Sequence, residues 1–144
     1  MTHSVHVLVA DDSATDVELT TRALEIGGVG QGIVWVQDGQ AALDYVFRTG
    51  AYEHRKGGRP QLMLLDLHMP KIDGLDVLAR IKADPHTRSI PVVIMSSSDQ
   101  ELDMVRSYEH HANSYLVKPT DFKQFTTQVA MLGQYWVRIN RALD

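Results

Sequence analysis

Short apolar runs alternate with amphipathic stretches along the whole chain. The runs are about Val5–Ala10, Ile33–Val36, Gln61–Leu65, Pro91–Met95 and Ser114–Val117. Such alternation predicts five βα units, a parallel sheet with helices on both faces. Helix boundaries are written between the runs. Ser13 caps the first helix, with Asp16 three residues on in a capping-box pattern, and Gly27-Gly28 ends it. Asp38-Gly39 opens the second, whose apolar positions Ala42, Leu43, Val46 and Phe47 share a face, and Gly50 follows. Asp73-Gly74 opens the third, which stops near Asp84-Pro85. Ser98 or Asp99 caps a fourth running to about His110, and Asp121 caps the last. The segment Gly50–Pro60, GAYEHRKGGRP, has no apolar periodicity and reads as a surface loop longer than usual, either an adornment or a contact site.

At 144 residues the chain fits one domain, residues 1–144, and leaves no room for a second catalytic or DNA-binding domain. The hydrophobic fraction of 44% and charged fraction of 22% are those of a soluble globular protein, and no run is long enough for a membrane span. The opening MTHSVHVLVADD lacks the features of a signal peptide, so a cytoplasmic location is expected. There is no cysteine, which excludes disulfides and thiolate metal sites. With 14 Lys and Arg against 18 Asp and Glu, net charge −4, the chain has no basic stripe, and neither nucleic acid nor membrane is an expected partner.

The chemistry-bearing residues stand where strands end: the acid pair Asp11-Asp12 after the first, Asp66 after the third, Ser96 after the fourth, Lys118 after the fifth. If the runs are neighbouring parallel strands, their carboxyl ends converge on one edge of the sheet, the usual ligand position in open α/β folds. Three carboxylates, a hydroxyl and an ammonium would then share one pocket. Carboxylates at that range repel, so the site calls for a divalent cation, and oxygen ligands select a hard one such as Mg²⁺. Singly, each acid could be a turn or helix cap, Ser96 a cap, and Lys118 a solvated side chain. The ordered set points instead to phosphoryl chemistry.

The motifs VLVADD, LLDLHMPKIDG, IPVVIMSSS and YLVKP resemble the receiver domain of two-component response regulators, from about Val5 to the last helix. The resemblance implies a doubly wound, flavodoxin-like sheet of strand order 2-1-3-4-5. It implies that Asp66 is the phosphoacceptor, that Asp11 and Asp12 bind Mg²⁺ with it, and that the backbone carbonyl of His68 completes the metal shell. By the same resemblance Ser96 and Lys118 bind the phosphoryl oxygens, and Tyr115 is an aromatic switch that moves as Ser96 is drawn inward. Ser96 stands where most of the family has threonine, keeping the hydroxyl and losing a methyl. A carboxylate can attack the phosphorus of a phosphohistidine, and the charge spread over the equatorial oxygens is stabilised by Mg²⁺, Lys118 and Ser96. A sensor histidine kinase is the implied partner. Such a chain is a signalling protein rather than an enzyme, limited to its own phosphorylation and dephosphorylation.

The last helix, about residues 121–140, carries Phe122, Phe125, Val129, Leu132, Trp136 and Ile139 in a heptad-like stripe, with Met131 and Tyr135 on another face. Its first half reads as core. The second half overruns the sheet, so Tyr135, Trp136 and Ile139 are expected at a homodimer or partner interface. That ending and the long loop before the third strand look like single-domain regulators paired with bacterial phytochromes. GGVGQG at Gly27–Gly32 follows a helix and precedes a strand, the wrong order for a dinucleotide fingerprint, and reads as a turn. His110-His111 lack a third metal ligand and read as an exposed helix end. A phosphotransfer intermediate is a variant of the same class. A phosphatase using an aspartyl-phosphate would need a substrate cap and a second acid beside Asp66, where His68 stands. A degenerate receiver serving only as a binding module would be expected to lose the acids or Lys118.

Overall fold

A computed structural model describes residues 5–97 and 100–141. The expected caps Ser98 and Asp99 lie outside the described residues. The strands are β1 (Val7–Ala10), β2 (Ile33–Val36), β3 (Leu62–Leu65), β4 (Val92–Ser96) and β5 (Ser114–Val117). All pair in parallel in the order β2-β1-β3-β4-β5, the order that the resemblance implies. Five helices follow them: α1 (Ala14–Ile26), α2 (Gly39–Phe47), α3 (Gly74–Ala83), α4 (Glu101–Glu109) and α5 (Phe122–Gly133). None of the described helices is long and apolar enough to cross a membrane.

Strand alternation sorts the core into two layers. Leu8, Ala10, Met63, Leu65, Val92 and Ile94 face one side with α2 and α3, while Val7, Val9, Leu62, Leu64, Val93 and Met95 face the other with α1 and α5. A sheet buried on both faces has no wetted side, which is why its strands read as continuous apolar runs. Pro91 falls just outside β4, for it has no N–H to give the ladder, although its carbonyl still accepts from Met63 N at 2.9 Å.

The predicted caps hold. Ser13 accepts from Asp16 N, Asp38 from Ala41 N, Asp73 from Leu75 N, and Asp121 from Lys123 N. Lys82, at the end of α3, donates to the carbonyls of Arg88 and Ile90 and to Asn113 Oδ1, and burial lowers its ammonium to about 8. It ties α3 to the starts of β4 and β5.

Two regions differ from expectation. The loop after α2 is more than a surface adornment. It begins with a turn of 3₁₀ helix, Gly50–Tyr52, and Arg55 then folds back with its guanidinium 4.1 Å from the centre of the Tyr45 ring and its Nε donating to the Tyr45 carbonyl at 3.0 Å. Tyr45 is buried, edge-on to Tyr52 at 5.1 Å. A cation over an aromatic face and an aromatic pair each contribute about 0.5–1.5 kcal/mol, enough to order a loop without an apolar run.

The chain's last turns are the second region. α5 ends at Gly133 and continues as a π-helical segment, Gln134–Ile139, marked by Asn140 N donating to Tyr135 O at 2.6 Å. A Cβ at Gly133 would lie 2.7 Å from side-chain atoms of Leu24 on α1 and of Val29 just after it, so a larger residue here would require both to shift. The wider turns break the heptad stripe, which assumes α-helical spacing. Trp136 and Val137 turn toward the α1–α5 core, whereas Tyr135 and Ile139 are exposed. Phe122, expected in the core, is 56% exposed because it is the first residue of α5, a turn ahead of buried Phe125. Gly27–Gly32 is the turn from α1 to β2, and His110-His111 is an exposed helix end, as expected.

Candidate functional site

The carboxyl ends of β1, β3, β4 and β5 bring the predicted residues together. Asp11 follows β1, where its backbone N–H is held by Val36 O at 3.1 Å, and Asp66 follows β3, held by Ala10 O at 3.0 Å. Lys118 follows β5 and is fixed by its own N–H on Ser96 O at 2.7 Å. Its ammonium reaches back over the sheet edge to Asp11 Oδ2 at 2.9 Å and Asp66 Oδ2 at 3.5 Å. Asp66 Oδ1 accepts from the backbone N–H of His68 at 3.2 Å. Gly74 closes this side, where a Cβ would lie 2.3 Å from the Asp66 carbonyl, so the start of α3 can rest directly on the Asp66 backbone.

Carboxylate oxygens of Asp11, Asp12 and Asp66 lie within 4.8 Å of one another. Asp11 is buried, Asp66 half-buried and Asp12 exposed. Burial raises the carboxyl of Asp66 above its usual value and Asp11's charge adds to this, against the opposing pull of Lys118 and the His68 N–H. For Lys118 burial alone would lower the ammonium. The hydrogen bonds it donates to Asp11 and Asp16, with the charge of Asp66, outweigh burial and raise it well above normal, so it stays charged.

Asp16 is the contact that the motifs did not announce. Its Oδ2 accepts from Lys118 Nζ at 2.9 Å, so its carboxylate does not complete a capping box. The Ser13 N–H that a capping box would use is taken by Asp11 Oδ1 at 2.9 Å. An acid one turn into a helix that starts at the site was the available signal. Four carboxylates, Asp11, Asp12, Asp16 and Asp66, thus face one ammonium. A divalent cation fits that deficit and an all-oxygen donor set.

Ser96 is the last residue of β4 and fully buried. Tyr115 stands opposite Ile94 in the β4–β5 register and is half-buried against the same core layer. Since strand side chains alternate, Ser96, Ile94 and Tyr115 share one face of the sheet. His68 is exposed, as is Ser97 beside Ser96.

Comparison with known proteins agrees with this geometry. Residues 7–130 match the response regulator receiver domain family, and the chain belongs to it. It is 40% identical over 138 residues to the probable methanogenesis regulatory protein FilR2 of Methanothrix harundinacea, covering 94% of this chain and 86% of that protein. It is 37% identical over 131 residues to response regulator Rcp1 of Synechocystis, covering 91% and 88%. The phosphorylated cyanobacterial phytochrome response regulator RcpA superposes with a TM-score of 0.91 at 34% identity, covering 99% of this chain and 100% of that one. The Mn²⁺-bound form of Rcp1 gives 0.89 at 34%, covering 97% and 99%. The bacteriophytochrome response regulator AtBRR gives 0.77 at 42%, covering 99% of both chains. The chain is therefore a receiver-domain response regulator of two-component signalling, with the single-domain Rcp1 type among its relatives.

Proposed function

We propose that the chain is a stand-alone response regulator, acting in the cytoplasm, that takes a phosphoryl group from a sensor histidine kinase onto Asp66 and signals by protein contacts. The observation that carries this is the placement of Asp66 with Asp11 and Asp12 within 4.8 Å on one side and the Lys118 ammonium at 3.5 Å on the other. Asp11, Asp12 and Asp66, with the His68 carbonyl, would hold Mg²⁺, which supplies electrostatic stabilisation of the transferring phosphoryl group. Asp66 Oδ attacks the phosphorus and the histidine nitrogen leaves. Lys118 and the Ser96 hydroxyl would bind phosphoryl oxygens, and catalysis is positioning and electrostatics, with no further enzymatic activity required. Once Ser96 is drawn to the phosphoryl group, Tyr115 on the same sheet face has room to move inward, a two-state element biased by one charge.

Similarity to phytochrome response regulators supports a bacterial phytochrome as the kinase. Phosphotransfer from autophosphorylated kinases tests the pairing. Transfer from the phytochrome-type kinase should outpace that from other kinases of the same organism, and equal rates for all would refute it.

The exposed apolar side chains Tyr135 and Ile139, with Met131 on α5 and Ile26 at the end of the adjoining α1, support a homodimer through the last helix. Trp136 serves the core in part, so its removal would also cost folding stability. The cleaner test is Tyr135→Ala with Ile139→Ala. In light scattering across a concentration series that pair should weaken self-association at least tenfold and leave phosphorylation intact. A wild type that stays monomeric with and without phosphorylation would remove the dimer.

A further inference from the structure

Trp35 lies on the edge strand β2, opposite Val9 of β1, with 37% of its surface exposed. Its indole Nε1 crosses the end of β1 and donates to the backbone carbonyl of Asp11 at 2.7 Å. That carbonyl belongs to the peptide unit joining Asp11 to Asp12. No backbone N–H of the described residues donates to it.

The two acids are held differently. Asp11 is fixed by its own side chain, with Oδ1 on Ser13 N and Oδ2 on Lys118 Nζ. Asp12 is exposed, and its carboxylate has no hydrogen-bond partner among the described residues. With no side-chain partner to hold it, the direction in which Asp12 projects from the chain is set by its backbone. The peptide plane entering Asp12 has the Asp11 N–H bonded to Val36 one residue back and the indole on its oxygen. Without the indole, that plane can rotate about its flanking torsions and swing Asp12 away from the oxygens of Asp11 and Asp66. A site that needs several carboxylates in register loses affinity when one of them is free to wander.

We propose that Trp35 is a positioning residue of the metal site, fixing the Asp11–Asp12 peptide and through it the carboxylate of Asp12. The inference rests on Mg²⁺ binding by the three acids, and its test separates the two claims. Mg²⁺ is titrated calorimetrically into the full chain as wild type, Trp35→Phe, Asp12→Ala and the double variant, with a thermal melt of each. Trp35→Phe keeps an aromatic ring and removes the donor, and Trp35→Leu removes the donor with a different shape. Both should bind Mg²⁺ about two- to tenfold more weakly than wild type, the range for one lost hydrogen bond. The effect should vanish once Asp12 is alanine, because the indole would then have nothing left to aim. A purely structural tryptophan would lower the melting temperature and leave Mg²⁺ affinity unchanged. That result in whichever of the two variants folds, or an equal weakening that persists in the Asp12→Ala background, would overturn the proposal. A wild type that binds no Mg²⁺ would overturn the metal site and this inference together.

Discussion

Lys118→Ala should bind Mg²⁺ more tightly than the wild type while losing about 3 kcal/mol of folding stability when Mg²⁺ is absent. The Lys118 ammonium occupies Oδ2 of both Asp11 and Asp66, so it competes with a cation for two of the three acids. Its side chain is only 11% exposed, and those of Asp11 and Asp66 are 7% and 13% exposed, so its removal leaves partly desolvated carboxylates with no neutralising charge. Breaking one partner out of such a set costs far more than losing a surface pair. Saturating Mg²⁺ should restore much of the loss, since a ligand bound only by the fold stabilises it.

The pH dependence follows from Asp66. Its folded carboxyl already lies above the usual value, and Lys118 is the main influence holding it down. Between the unfolded and folded values the folded chain binds more protons, so this group's contribution to stability falls as pH rises through that window. Without Lys118 the folded value rises further and the window widens upward. The deficit should therefore be largest at neutral pH and shrink on acidification. Denaturant unfolding at several pH values, with and without Mg²⁺, reads all three effects. Weaker Mg²⁺ binding by Lys118→Ala would show that the ammonium does not compete at the metal position.

Asp12→Ala should act in the opposite sense and more strongly on chemistry. Phosphoryl uptake should fall at least about 100-fold, as it should in the wild type under chelation, because the developing charge on the phosphoryl oxygens then meets uncompensated carboxylates. Asp12 makes no ion pair with Lys118, so the fold should melt close to the wild-type temperature. Equal rates with and without chelator would remove the metal from the reaction.

Most of this site was legible because each component is a polar residue ending an apolar run, and parallel strands must bring such ends together. The strand order could not be derived from periodicity, which says nothing about which strands are neighbours. It came through the resemblance carried by VLVADD, LLDLHMPKIDG and YLVKP. Asp16 was hidden because an acid at that place in a first turn has a local explanation, and only the fold shows that Lys118 claims its carboxylate. Trp35 looked like one more apolar residue of a strand, since nothing in IVWV says that the indole N–H will cross to a neighbouring strand's end. The C-terminal stripe assumed α-helical spacing throughout, but beyond Gly133 the chain continues in wider π turns. Arg55 on Tyr45 orders the long loop through side-chain geometry that hydropathy cannot register.

The identity of Asp66 as phosphoacceptor is tested most directly by intact-mass spectrometry after incubation with acetyl phosphate and Mg²⁺. The wild type should gain the mass of one phosphoryl group and lose it again as the acyl phosphate hydrolyses, and Asp66→Asn should gain none. Labelling of Asp66→Asn to the wild-type extent would contradict the assignment.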